Sequence, residues 1–521
     1  MDGAVVVVAF LCIVGGMTLL ALTARRFRTT DELPTLADWA LAGRTLGPAW
    51  NWSLLGGTIF TAYTFTAVPS LVYGTGAIGF FALPYTVIVC PIAFVLLPRL
   101  SWAAHRHRFV TVSDYVQGRY GSPLLALVIA LTGILATMPY LALQLLGIQA
   151  VLTAGGLSPS GPAGDFILVA VFAGLAAATY RYGLRVPTVV SAAKAVGIFA
   201  TAVVLITVVL VRQGGADAVF ESAARHLAAL GPGATAATVG PDQYWAFTTL
   251  ALGSALALLM YPHVLIAGFA ASGPETLRKV VIGLPAWTAV LGIFALLGLA
   301  ALAARIPTPP GNAVDAVPQL LAADLPAVAA GLVFGVIVVG ALVPFVVMSI
   351  GAGASFVRNV YVEYFHQTAT PKRQLRIARA VSLIAEAGAV AFVLGLRHQA
   401  AINLQLLGGV WILQILPTVV IGLYTRRMHH LALLGGWAVG MMAGSAMIVH
   451  EGFSPLVSLG FGDHQIECYA GLAALVLNLA VAVVLTALLD RLGAPRRPDI
   501  TELPPRLRFR SHHESTGGDP S

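Results

Sequence analysis

The sequence predicts an all-α, polytopic membrane protein, and three observations carry that prediction. The 521 residues are 58% hydrophobic and only 10% charged. The mean hydropathy is +0.86. Apolar runs of about 20 residues, the length that crosses a bilayer as a helix, recur from end to end. A soluble globular chain carries roughly 25% charged residues, so the deficit makes lipid the main solvent. A membrane barrel would show alternating strands of about 10 residues, and these runs are longer and continuous. The net charge of +8 does not point to nucleic acid, because the basic residues sit in short loops between apolar runs. Cys12, Cys90 and Cys468 lie in or beside apolar segments, without a Cys-x-x-Cys. That arrangement gives neither a disulfide framework nor a zinc site. The start of the chain is apolar, with Asp2 and no basic leader region, so the first helix is expected to be retained.

Taken in order, apolar runs and breakers place thirteen spans, at 3–24, 50–73, 77–98, 123–152, 165–182, 186–211, 244–268, 281–304, 327–354, 378–396, 400–424, 430–449 and 467–489. Lys and Arg mark cytoplasmic loops. With the N-terminus outside, 25 of the 30 basic residues fall on the cytoplasmic side: Arg25 to Arg44, Arg99 to Arg119, Arg181 and Arg185, Arg278 and Lys279, Arg358 to Arg379, Arg426 and Arg427, and those of the C-terminal tail. Arg212, Arg225, Arg305 and Arg397 fall outside, and Lys194 lies within a span. An error of one helix would scramble this alternation. The expected organisation is one membrane domain over 1–490, with a core at 50–424. A basic cytoplasmic tail over 491–521, rich in Pro, Arg and His, is expected to be disordered.

Two spans are interrupted at their centres. The second, NWSLLGGTIFTAYTFTAVPSLVYGTG, carries Gly56 and Gly57, then Thr58, Thr61, Tyr63, Thr64 and Thr66, then Pro69. The seventh, LALGSALALLMYPHVLIAGF, carries Tyr261, Pro262 and His263. Gly and Pro free backbone groups, which lipid tolerates only where they are satisfied again or line a cavity. Paired breaks of this kind point to a transporter's binding site. They lie five spans apart, the offset expected if spans 2–6 and 7–11 are two inverted five-helix repeats.

The segments GGTIFTAYT, AVPSLVYGTGAIGFFALPYT, ATMPYLALQLLG, ALLMYPH and GGVWILQILPTVVIGLY, in that order, resemble the sodium:solute symporter family and especially its bacterial monocarboxylate permeases; RNVY after span nine extends the likeness. The resemblance implies a leucine-transporter-type core, thirteen helices and alternating access. It also implies cation-coupled uptake of small carboxylates such as lactate, pyruvate, acetate or propionate, or of alanine. The residues agree with an anionic substrate. A broken helix exposes N–H groups and a positive half-helix end. The expected substrate contacts are Gly57, Thr58, Thr61 and Tyr63 of span two, Tyr261 and His263 of span seven, and Tyr140 and Gln144 on one face of span four. No Arg lies deep in a span, which favours small monoanions over dicarboxylates.

The family's sodium site uses backbone carbonyls of spans two and nine and two adjacent hydroxyls on span nine. By motif these fall on Gly57, Phe60 and Val346, and on PFVVMSIGAG, where Ser349 is present but Ile350 replaces the second hydroxyl. One hard oxygen ligand is missing. Lys194, on the order of 12 Å into span six, is a functional candidate by its depth. Its ammonium either stands in for sodium and couples a proton to uptake, or snorkels to the cytoplasmic interface; both sodium and proton coupling stay open from the sequence. Glu386, at similar depth in span ten, reads as structural, and Asp114 and Arg119 read as ordering a cytoplasmic turn.

No cofactor and no obligate protein partner is expected; the partners are the bilayer of the inner membrane and the substrate. An intramembrane enzyme would need a nucleophile–base set or metal ligands at mid-membrane, and the chain has no HExxH and no intramembrane Asp pair. A channel would need a filter ring. The tail is too short for a sensor domain. A receptor that binds without flux stays open, and the runner-up is a sodium symporter for an amino acid, a sugar or pantothenate.

Overall fold

Helix breakers decide where the apolar runs form one helix and where they form two. The computed structural model describes residues 3–23, 35–156, 182–229, 238–308, 313–395, 401–461 and 464–501. The principal helices are α1 (Gly3–Thr23), α2 (Pro48–Ile59), α3 (Val68–Thr75), α4 (Ala82–His107), α5 (Val112–Tyr120), α6 (Pro123–Ala154), α7 (Arg185–Arg212) and α8 (Tyr244–Leu258). They are followed by α9 (Pro262–Phe269), α10 (Pro274–Ile282), α11 (Pro285–Ala303), α12 (Ala327–Phe356), α13 (Pro371–Gly395), α14 (Ala401–Ile412), α15 (His430–His450) and α16 (Ala470–Arg491). Among the described residues nine helical stretches are long and apolar enough to cross a membrane, and the pair Pro241–Leu258 and Pro262–Phe269, bent by 48°, makes a tenth. The fifth expected span lies, but for Tyr182, outside the described residues. The tenth is a continuous helix, α13, that is not among the nine.

Both expected interruptions are present. Span two is α2, a non-helical step at 60–61, a π turn at Tyr63–Ala67 and then α3. Span seven is α8, a step at 259–261 and then α9. The inner ends of the two spans are joined. Leu46 N–H donates to the Ala270 carbonyl at 3.2 Å, Ser272 N–H donates to Leu46 O at 2.9 Å, and Asn51 Nδ2 donates to Ala267 O at 2.7 Å. The first half of one broken span thus lies beside the second half of the other.

Small residues let the chain pack this closely. The indole of Trp287 fills the space that Gly56 leaves, and Trp287 stacks on Phe60 with ring centroids 5.6 Å apart. On α11, a Cβ at Gly298 would overlap the Pro69 carbonyl oxygen of α3. Neither backbone can retreat, so Gly298→Ala is expected to cost about 1–3 kcal/mol. The check is a lowered midpoint of thermal unfolding in detergent; an unchanged midpoint would contradict this packing.

At one end of the bundle the basic loops converge. Asp114 caps α5 through Thr111 and also accepts from Val110 N–H at 2.8 Å and Asn359 Nδ2 at 3.0 Å, beside Arg358 at 3.4 Å. Arg44 donates to the carbonyls of Ala104 and Phe109. Asp114 does order this turn, whereas Arg119 reaches away from it to the carbonyls of Gly422 and Thr425.

Two features depart from the sequence reading. Leu456–Phe461 and His464–Tyr469 form an antiparallel hairpin before α16, so the thirteenth apolar run starts as strand. Its alternating Val457, Leu459, Ile466 and Cys468 have the strand period, which a search for apolar runs overlooks. The start of the tail is not disordered as expected. Residues 494–501 fold back on the basic end, where Ile500 N–H donates to Gly118 O at 3.0 Å and Asp499 pairs with Arg119 at 3.0 Å. Charge pairing and backbone bonds hold a segment that has little apolar content to bury. The rest of the tail lies outside the described residues.

Candidate functional site

A break in a membrane helix leaves backbone groups that must find partners, and at the first break side chains supply them. Ala62 N–H donates to Gln144 Oε1 at 2.9 Å, and Tyr63 N–H donates to its neighbour Thr61 Oγ1 at 3.0 Å. The freed carbonyls of Gly57 and Phe60 face α7. There Lys194 Nζ donates to Gly57 O at 2.6 Å, to Phe60 O at 3.0 Å and to Gly340 O at 2.7 Å. All three donors of the ammonium are used, and Lys194 is 1% exposed. The ring of Phe65 lies 5.8 Å from Nζ.

Gly340 is available for a physical reason. Pro344 sits inside α12, lacks an N–H and leaves the carbonyl four residues earlier without its helical partner. That carbonyl belongs to Gly340. The sequence reading placed the third oxygen on Val346, and the structure corrects this. Val346 O accepts from Ser349 Oγ at 2.8 Å. Ser349 Oγ also lies 2.7 Å from Glu386 Oε1 and accepts from Ser382 Oγ at 2.9 Å. Ser349 is nine residues beyond Gly340 on one helix, roughly 13 Å along its axis. The expected sodium set therefore divides. Gly57 and Phe60 belong to the lysine, while Val346, Ser349 and the adjacent Ile350 lie elsewhere. A sodium ion does not fit on the Gly57 and Phe60 carbonyls beside the ammonium that already holds them.

The second break assembles a group of rings. Tyr140, Tyr261 and His263 are mutually in contact, with centroids 5.3 Å apart for the two tyrosines, 5.5 Å for Tyr140 and His263, and 5.3 Å for Tyr261 and His263. Tyr140 OH lies 3.4 Å from Thr61 Oγ1, which ties the rings to the first break. Tyr261 OH donates to Gln405 O at 3.3 Å. Thr58, Tyr140, Tyr261 and His263 are each 0% exposed. Both ring nitrogens of His263, Thr58 Oγ1 and Gln405 Oε1 have no hydrogen-bond partner among the described residues. Buried polar atoms are nearly always paired, so these unpaired ones are unusual.

The structure thus brings Thr61, Tyr140, Tyr261 and His263 together. Gln144 braces the backbone of the break. Gly57 gives room to Ser191, whose hydroxyl would overlap a Cβ there. Tyr63 stands apart, edge-on to Tyr85 with centroids 5.9 Å apart. Sequence reasoning missed Gly340, Ser191 and Gln405. Pro344 could have revealed the first. Gln405, a lone polar residue in the run AINLQLLGGVWI, could have revealed the third.

Two broken spans thus lie in antiparallel contact beside a buried group of polar rings, and solved structures share this fold. The fold matches a Na+-coupled sialic acid symporter with a TM-score of 0.74 at 14% identity, over 95% of this chain and 99% of the other. It matches the nucleobase-cation-symport transporter Mhp1 with a TM-score of 0.53 at 13% identity, over 91% of this chain and 98% of the other. These are leucine-transporter-fold proteins. The model of the sodium:solute symporter family matches residues 39–444, and the chain belongs to that family. It is a multi-pass, cation-coupled solute transporter and not an enzyme. Among its relatives are a monocarboxylate transport permease protein of Rhizobium johnstonii, 42% identical over 91% of this chain and 94% of the other. An uncharacterized symporter of Bacillus subtilis, YodF, is 28% identical over 88% and 89%.

Proposed function

We propose that this protein takes up small monocarboxylates of the lactate and pyruvate type by alternating access, and that a proton carried by Lys194 does the work that sodium does at this position in the family. The observation that carries the reading is the ammonium of Lys194 on the carbonyls of Gly57, Phe60 and Gly340. These oxygens come from both halves of the mechanism, the broken span two and the long helix α12. A cation there holds the two together, and removing its proton takes away a positive charge and one donor. The carbonyls then have reason to part, as they would on loss of a metal ion. Lysine suits the role because its ammonium is a compact point charge that can give up its proton, which a guanidinium does not.

The ring group supports this substrate class. Its donors are the rings of Tyr140, Tyr261 and His263 and the hydroxyls of Thr58 and Thr61. The lysine charge is spent on carbonyls, so no second cation is at hand for a second carboxylate. The permease name of the Rhizobium relative supports the same class. On this reading the chain has thirteen membrane helices, an outside N-terminus and a cytoplasmic basic end in the inner membrane.

Uptake of labelled lactate into proteoliposomes tests the substrate class, with unlabelled acids as competitors. Pyruvate and propionate are expected to compete and succinate is not. Competition by succinate equal to that by pyruvate, or by an amino acid or a sugar alone, would overturn the assignment.

A further inference from the structure

Away from the two helix breaks, the segment that follows α16 borders a cavity of about 260 Å3 at the basic end of the bundle. Its walls carry Arg119, Arg426, Arg496 and Arg497, against Asp499 as the one acidic wall. Each guanidinium is held in place. Arg119 donates to the carbonyls of Gly422 and Thr425, both at 2.9 Å, and pairs with Asp499, which also lies 3.6 Å from Arg426. Arg496 donates to the carbonyls of Arg426 and Arg427, both at 2.6 Å, and grips Asp490 with both oxygens at 2.8 and 2.9 Å. Arg497 donates to Gly121 O at 3.1 Å and has no carboxylate at ion-pair distance among the described residues.

Carbonyl bonds aim a guanidinium without cancelling its charge. Arg497 thus brings a fixed positive charge to a concave site whose other guanidiniums are already oriented. Preorganised donors lower the cost of binding, and guanidinium forks match the oxygens of phosphate. The cavity also lies at the edge of the apolar surface. His430, in its wall, begins α15, whose Leu431, Met442 and Val449 are 49%, 65% and 64% exposed.

We infer that this cavity is a binding site for a phosphate group, carried by an anionic phospholipid or by a soluble phosphate, and that its occupant clamps the C-terminal segment across the basic loops. Bound phosphate would join Arg496 and Arg497 of the segment to Arg119 of α5 and to Arg426 of the loop before α15. The inference does not depend on the substrate or on the coupling ion.

The test is thermal unfolding of the purified full-length protein, with added phosphatidylglycerol, inorganic phosphate or phosphatidylcholine. A filled site is expected to raise the midpoint by about 2–4 °C with phosphatidylglycerol if the source is lipid, or with inorganic phosphate if it is soluble, and phosphatidylcholine should do neither. Arg497→Glu should abolish the rise and leave lactate uptake in place. Arg497→Gln, which removes the charge but keeps a donor for Gly121, should reduce the rise and serves if the glutamate variant does not fold. No rise with either phosphate source, or a full rise in the substituted protein that folds, would overturn the inference.

Discussion

Lys194→Met is expected to abolish proton-driven accumulation of substrate. Methionine has similar length and suits the apolar surroundings, so the change removes the charge and the three donors with little change in volume. The carbonyls of Gly57, Phe60 and Gly340 then lose their partner. An orphaned buried acceptor costs about 1–3 kcal/mol, and a single cost of that size already shifts a two-state equilibrium by roughly 5- to 150-fold. Three such costs fall on the state in which span two and α12 are held together, so cycling should stop and not merely slow. Accumulation ratios in proteoliposomes are the readout, with expression level and monodispersity as controls for folding. Accumulation at the unsubstituted level would remove Lys194 from the coupling mechanism.

His263→Phe is expected to give the second largest effect, a loss of substrate affinity with folding preserved. The ring contacts with Tyr140 and Tyr261 survive in phenylalanine. The two ring nitrogens have no partner among the described residues, so their removal breaks no bond within the protein. The whole cost then falls on the bound solute. A hydrogen bond to a charged group is worth about 1.5–3 kcal/mol, which corresponds to roughly 10- to 150-fold in affinity. A rise in KM of that order, with unchanged unfolding temperature, is the expected result. An unchanged KM would place the substrate away from the ring group.

Much of this was legible in the sequence, for physical reasons that can be named. Gly56–Gly57 and Pro262 interrupt long apolar runs; the second helix does break just before Pro262, while the first runs on through both glycines and breaks at Phe60 and Thr61. Lys194 is an ionisable group deep in such a run, where only a function or a partner keeps it, and it has three backbone partners. The third of these was not legible from motif position. A backbone carbonyl has no side-chain signature, and along α12 the residues from Val336 to Val347 are almost uniformly apolar. Only Pro344, read through its missing N–H, singles out Gly340. Ser349 misled because a hydroxyl was taken as a ligand, whereas its oxygen serves Val346, Ser382 and Glu386. The folded start of the tail was hidden because composition reports burial, and that segment is held by arginine bonds to carbonyls and by Asp499.

The central claim is that a proton on Lys194 replaces sodium at the junction of span two and α12. Its most direct test is lactate uptake into proteoliposomes under an inward proton gradient without sodium, and separately under an inward sodium gradient at equal pH. The account predicts accumulation with the proton gradient alone, absent in Lys194→Met, and no stimulation by sodium. Accumulation that requires sodium and persists when Lys194 is replaced would contradict it.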